Sequence, residues 1–347
     1  MATKHYTFAG EKVSMHFDTS FSQLSQLVDR RYTIIITDEN VYRAHLKKFK
    51  GWSCIVLKPG EEYKIQPTVD AVIGQLITMQ ADRSTTLVGV GGGVITDLTG
   101  YIASVYMRGL RFGFVPTSLL GMVDASIGGK NGIDVGEYKN MVGVIRQPEF
   151  ILYDTSLLST LPDAEWSNGC AEIIKHACIN DARLFKLLQQ HDLASLRRNS
   201  TLLKKIIRRN VEIKSSIVGK DVHERGDRRL LNFGHTLGHA LETQYELMHG
   251  QAVALGMVFA GWLSEHMNGT ICVTSLESVL VQYGLPTRAQ FDVSRVFKIL
   301  QMDKKRERKK IRFVSLKKLG KGTVVEIDLA AINGYLKAFT SLNRTRA

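Results

Sequence analysis

The chain is sparing with cysteine. Cys54, Cys170, Cys178 and Cys272 are the only four among 347 residues, and no two of them form a C-x-x-C pair. Such spacing excludes a disulfide scaffold and suits a reducing compartment in which the thiols are small core residues. Long apolar runs are lacking too: the longest, 252–263, is too short to cross a bilayer, so no membrane partner is expected. Residues 1–10 lack a charged segment followed by an apolar one and a small-residue cleavage site, so a secretory leader is not expected and the expected location is cytoplasmic.

Positive charge is plentiful, with a formal net charge of +13. Zinc-finger spacing, an aromatic RNA-binding motif and arginine-glycine repeats are all missing, so nucleic acid is not an expected partner. Much of the basic excess sits in 304–310 and at helical positions such as Lys204, Lys205, Arg208 and Arg209. These read as solvated faces plus a few cations that draw in a small polyanion. A chain of this length, 44% hydrophobic and 23% charged, suits two ordered domains.

Up to about residue 155, apolar runs alternate with helical periods, as in an α/β domain. Buried strands are expected at 32–37, 52–57, 86–90 and 112–115, and helices at 66–80 and 94–106. The strand ending at Val90 runs into Gly91-Gly92-Gly93 and then Val94-Ile95-Thr96-Asp97. Glycines there would let backbone amides approach a phosphate at a helix N-terminus, although the run departs from G-x-G-x-x-G and a tight strand-to-helix turn explains it equally well. Asp38 and Asn40 follow the first strong strand, where polar residues hold a ribose or merely cap a helix. Beyond Pro162 the pattern turns helical. The expected domains are therefore 1–160, a nucleotide-binding α/β domain, and 161–347, an all-α domain, enclosing a cleft.

The helical half contains Gly234-His235-Thr236-Leu237-Gly238-His239 and, ten residues on, His249-Gly250. Histidines four apart share a helix face, which is metal-ligand spacing, yet a bare pair is also what satisfied core or surface histidines give. The absence of Glu after His235 argues against a metalloprotease helix. Glu172 lies in an apolar helical stretch, where an unpaired carboxylate would be costly and a metal would remove the cost. Residues 116–132 concentrate small, polar and glycine residues without a helical period, a composition usual in functional loops.

Taken in order, Gly60-Glu61-Glu62-Tyr63-Lys64, Gly91 to Asp97, Tyr106-Met107-Arg108-Gly109, Pro116 to Leu120, Val123 to Lys130, Lys139-Asn140-Met141, Ala171-Glu172-Ile173-Ile174-Lys175, Leu231 to His239, His249-Gly250 and Asp303-Lys304-Lys305 span almost the whole chain. This ordered set resembles the sugar-phosphate cyclase superfamily and, within it, the 3-dehydroquinate synthase family. The resemblance implies a Rossmann-like N-terminal NAD domain, a helical C-terminal domain, a homodimer, and zinc or cobalt held by Glu172, His235 and His249. His239, which spacing alone nominates as a ligand, would instead face substrate.

For NAD the resemblance points to Asp38, Asn40, Glu61, Lys64, Gly92, Gly93, Asp97, Thr117, Ser118, Asp124, Lys130, Lys139 and Thr160. For substrate it points to Asp124, Lys130, Asn140, Lys175, Lys214, Arg228, Asn232 and His239, with Lys304 or Lys305 joining and Arg108 reaching across a dimer. The implied substrate is 3-deoxy-D-arabino-heptulosonate 7-phosphate, converted to 3-dehydroquinate and phosphate. The chain departs from the family pattern at Thr96 (commonly Gly), Ser118 (Thr), Asn131 (Thr) and Leu157 (often aromatic), and in a short connection between His239 and His249. Alternatives are a related cyclase making 2-deoxy-scyllo-inosose, an epi-valiolone or an aminodehydroquinate, and a zinc-dependent polyol or glycerol-phosphate dehydrogenase, which would release NADH.

Overall fold

The structure is a computed structural model that describes residues 1–136, 138–302, 306–307 and 310–345. Two compact units divide the chain: Met1–Glu165 with Asn210–His223, and Trp166–Arg209 with Glu224–Ala347.

The first unit is built on a seven-stranded sheet. Its strands are β1 (Ala2–Phe8), β2 (Glu11–Phe17), β3 (Thr33–Asp38), β4 (Ser53–Leu57), β5 (Thr86–Gly91), β6 (Arg111–Pro116) and, after the hairpin β7 (Lys130–Val135) and β8 (Tyr138–Ile145), β9 (Phe150–Leu152). The order across the sheet is β1-β2-β9-β6-β5-β3-β4, parallel throughout except for the antiparallel β1 edge. Every residue of β3 and β5 is buried, the reason their sequences read as continuous β-branched runs rather than alternating ones. One core of the unit gathers Ile35, Val88, Val90 and Val115 from the strands with Phe21, Phe49, Trp52 and Leu157.

Strand order decides where a ligand can sit. After β3 the chain passes through short helices to β4 on one side, and after β5 it passes through the helix Gly93–Val105 to β6 on the other. Adjacent parallel strands whose connections leave in opposite directions open a crevice at their C-terminal ends, and here those ends are Asp38 and Gly91.

The second unit is mainly helical. Its two central helices, Asp163–Asn180 and His249–Asn268, are buried around most of their circumference, as expected for helices with small and apolar residues on all sides. The helix His235–Tyr245 packs closely against His249–Asn268 because Gly256 takes the contact: a Cβ there would collide with the carbonyl of Gly234. This unit also carries a three-stranded antiparallel sheet, β10 (Arg306–Glu307), β11 (Lys310–Lys318) and β12 (Lys321–Asp328). The sequence pattern did not signal it, since lysines at both ends of β11 and an almost unburied β12 hide the alternation of a strand.

Candidate active site

The crevice of the first unit is lined by backbone. The helix Gly93–Val105 starts at Gly92, directly after β5, and Thr117 N donates to Gly91 O at 2.9 Å, tying the β6 end to the same edge. A Cβ on Gly92 would lie 3.4 Å from Ser118 Oγ, and one on Gly93 would lie 3.3 Å from Ala125 Cβ. The glycines therefore keep open a concavity beside a helix N-terminus, where an anion is favoured. Asp38 caps the helix Glu39–Ala44, its Oδ1 accepting from Val41 N at 3.0 Å, and burial raises its carboxyl pKa. Thr160 lies with His45, Oγ1 to Nε2 at 3.0 Å.

Lys64 is the hub of the charged groups in this unit. Its buried ammonium stands 2.6 Å from Asp97 Oδ2 and 3.7 Å from Glu61 Oε1, and it donates to Asn140 Oδ1 at 2.7 Å. Burial alone would pull its pKa down; the carboxylates of Asp97, Glu61 and Asp134 reverse this and hold it above the ordinary lysine value. Asp134 is a residue the sequence reading missed. Its N–H donates to Lys64 O at 2.7 Å and its Oδ1 accepts from Asn140 N at 2.6 Å, fixing Asn140 at φ +54. Lys130 and Lys139 are exposed on β7 and β8. Lys214, on the helix Ser200–Lys220, reaches Asp124 at 2.7 Å from Oδ1 and 2.8 Å from the carbonyl oxygen.

Arg108 occupies an exposed turn with φ +65, next to Met107 at φ +49. The departures Thr96, Ser118 and Asn131 all make specific hydrogen bonds. Thr96 Oγ1 donates to Gly93 O at 2.9 Å, Ser118 Oγ accepts from Gly121 N at 3.1 Å, and Asn131 Nδ2 donates to Gly129 O at 2.8 Å and Arg146 O at 2.9 Å.

In the second unit the candidates converge on Glu172, which is fully buried. Its Oε1 lies 3.5 Å from His235 Nε2 and 3.3 Å from His249 Nε2, and its Oε2 is ion-paired with Lys175, one helical turn on. The ligand atoms of Glu172, His235 and His249 all fall within 4.8 Å of one another. Two imidazole nitrogens and one carboxylate oxygen are donors a zinc or cobalt ion accepts, leaving a coordination position for a further oxygen. His239 is exposed on the same helix face, its ring centre 5.2 Å from that of His235 and 6.4 Å from that of His249.

Local sequence sets this geometry. Gly234 at φ +81 starts the helix that presents His235, and Asn168 Oδ1 accepts from Gly250 N at 2.5 Å beside His249. Burial lowers the His249 pKa, but Glu172 and Glu242 outweigh it and raise it to about 10. Asn232 donates to Glu224 Oε1 at 2.5 Å, and Arg228 is buried in the turn before it. Lys304 and Lys305 lie outside the described residues. Sequence reasoning passed over Glu242, although its place seven residues after His235 and three after His239 puts it on their helix face.

Residues 54–168 match the family profile described as 3-dehydroquinate synthase N-terminal, and residues 169–306 match 3-dehydroquinate synthase C-terminal. The chain belongs to the 3-dehydroquinate synthase family. It is 39% identical over 323 residues to a 3-dehydroquinate synthase of Dehalococcoides mccartyi, covering 89% of each chain. Among solved structures it is similar to the 2-epi-5-epi-valiolone synthase of Streptomyces hygroscopicus with NAD+ and Zn2+ bound, at TM-score 0.86, 25% identity and coverage of 98% of this chain and 99% of that one. It also shares the fold of a 2-deoxy-scyllo-inosose synthase complexed with carbaglucose-6-phosphate, NAD+ and Co2+, at TM-score 0.84, 24% identity and coverage of 96% and 98%. The 3-dehydroquinate synthase family thus has, in this member, an N-terminal parallel-sheet unit and a mainly helical C-terminal unit.

Proposed function

We propose that the chain converts 3-deoxy-D-arabino-heptulosonate 7-phosphate to 3-dehydroquinate and phosphate by transient oxidation, phosphate elimination, re-reduction, ring opening and intramolecular aldol closure. The observation that carries this reading is Glu172, fully buried with two imidazoles at Oε1 and an ammonium at Oε2, in a chain of the 3-dehydroquinate synthase family. Bound NAD supplies a reversible hydride acceptor, and a bound zinc or cobalt ion supplies Lewis acidity at the hydroxyl to be oxidised.

The residues present fit both groups. Glu172, His235 and His249 would hold the ion. Gly92 and Gly93, with Asp38, Asn40, Glu61, Lys64, Asp97, Thr117, Ser118, Asp124, Lys130, Lys139 and Thr160, would form the NAD site, its dinucleotide phosphates at the helix N-terminus. Lys130, Lys175, Lys214 and Arg228 are cations suited to the substrate's carboxylate and phosphate, with Asn140 and Asn232 as amide partners and Lys304 or Lys305 as a further cation. His239 is assigned the movement of the hydroxyl proton, which its exposed place next to His235 and His249 permits. Holding one flexible molecule through several steps, sheltered from water, is the remaining task of this set.

A homodimer is part of this reading. Met107, Tyr138, Met141, Val142 and Ile145 expose large apolar side chains along β8 and beside Arg108, a patch suited to a second copy whose site Arg108 would serve. Among the described residues no helix is long and apolar enough to cross a membrane.

The reading is tested by assaying phosphate release from the heptulosonate phosphate and from sugar phosphates lacking a carboxylate, with the product identified by NMR. Formation of 3-dehydroquinate, stopped by a chelator and restored by zinc or cobalt, is the expected result. Turnover of only the uncarboxylated sugars would assign a different cyclase, and stoichiometric NADH would assign a dehydrogenase.

A further inference from the structure

The two imidazoles beside Glu172 are held from behind by different groups. The outer nitrogen of His235, Nδ1, meets the neutral carbonyl oxygen of Phe233 at 3.2 Å. The outer nitrogen of His249, also Nδ1, stands 3.6 Å from the carboxylate Oε2 of Glu242, whose side chain is only 8% exposed. We infer that Glu242 is a positioning residue for His249, one that fixes the ring's orientation and tautomer and sets how tightly the site binds a divalent ion. This rests on the metal reading above and deepens it.

Three features make a charged group necessary there. His235 and His249 are both the first residues of their helices, so two positive helix ends converge where a cation is to be held, which opposes binding. The one carboxylate in the ligand set, Glu172, is already paired with the ammonium of Lys175, leaving the charge of a divalent ion poorly balanced. Finally, His249 follows a connection of only three residues, 246–248, that turns through Glu246 at φ +50. A carboxylate on Nδ1 answers all three. With an ion bound, it would keep the proton on that nitrogen, so that Nε2 offers its lone pair to the ion, and it would make the imidazole a stronger donor and add a negative charge behind the ligand.

The test is metal affinity rather than turnover. The full chain and its Glu242→Gln variant are stripped of metal, titrated with Co2+, and followed by visible absorption in competition with a chelator of known affinity. Glu242→Gln is expected to bind Co2+ about 10- to 100-fold more weakly, while the metal-free variant still unfolds in one cooperative transition. Glu242→Asp, which keeps the charge at a greater distance, is expected to fall between. Wild-type affinity and an unaltered cobalt spectrum in Glu242→Gln would overturn the inference while leaving the metal site intact. Failure of the wild-type chain to take up cobalt or zinc at all would overturn the metal reading and the inference with it.

Discussion

The candidate site residues of the two units are made of different material. In the first unit the crevice at the ends of β3 and β5 is formed largely by main chain: glycines, a helix start and strand termini, with the buried Lys64 ion pair among its charges. In the second unit everything depends on a few side chains. A buried carboxylate, an ammonium and two imidazoles meet there, each carried by a helix. A main-chain cradle spreads its function over many residues and degrades gradually under substitution, whereas a side-chain cluster loses it with one change.

Breaking the cluster is therefore expected to have the largest effect. His235→Ala should leave the purified protein without its metal and reduce turnover about 10³-fold or more, several kcal/mol of transition-state stabilisation; metal analysis beside a phosphate-release assay measures both. The first unit's nearest equivalent is Lys64→Met, which leaves the largely buried Asp97 without its cation. Removing one partner of such a pair costs about 3 kcal/mol, readable as a lower urea midpoint and weaker NAD binding. Metal content should stay normal, and its loss would mean that the two halves do not fail separately.

A third substitution sharpens the contrast inside the second unit. His239→Asn should retain metal and lower kcat about 10²-fold, the scale of a lost general acid or base; loss of metal instead would make His239 a ligand, as its spacing from His235 alone suggests.

The smallest effect concerns Asp154, which holds Phe21 N at 2.8 Å and Ser156 N at 3.0 Å and stands 3.3 Å from Lys48 Nζ. Burial pushes its pKa up, but these partners and the Ser156 hydroxyl outweigh burial and leave it below the usual value. A carboxyl depressed in the folded state stabilises above its unfolded pKa of about 4, and that stability fades as pH falls through the folded value. Asp154→Asn should accordingly lose about 1 kcal/mol near neutral pH and show a flatter dependence of urea midpoint on pH below about 4.

The same contrast explains what could be read in advance. Buried parallel strands announce themselves, and 33–38, 53–57, 86–91 and 111–116 fall within a residue or so of the expected runs. The glycine turn after β5, the polar strand end at Asp38 and the His-x-x-x-His helix were legible as local patterns. Elements whose side chains mostly face solvent were not: β1 is exposed over most of its length and β8 over nearly all of it, so neither shows the period of two that burial of one face imposes. The stretch 116–132, expected to be irregular, contains a widely wound helical turn at Gly121–Ala125, where Ser126 N reaches back to Gly121 O at 3.3 Å, and the start of β7. Its small residues serve packing there rather than looseness. Asp134 and Glu242 went unnoticed because a carboxylate in a hairpin or on a helix reads as a solvated charge; only tertiary contact sets each beside the residue it fixes.

The proposed transient oxidation, undone within the same catalytic cycle, is tested most directly by counting phosphates per NAD. Chains carrying metal and one equivalent of NAD are mixed with a large excess of the heptulosonate phosphate while phosphate and absorbance at the NADH band are recorded together. Many phosphates released per NAD, with no accumulating NADH, is the expected result. A reaction that stops after one phosphate per NAD, or that builds up NADH in step with phosphate, would contradict it.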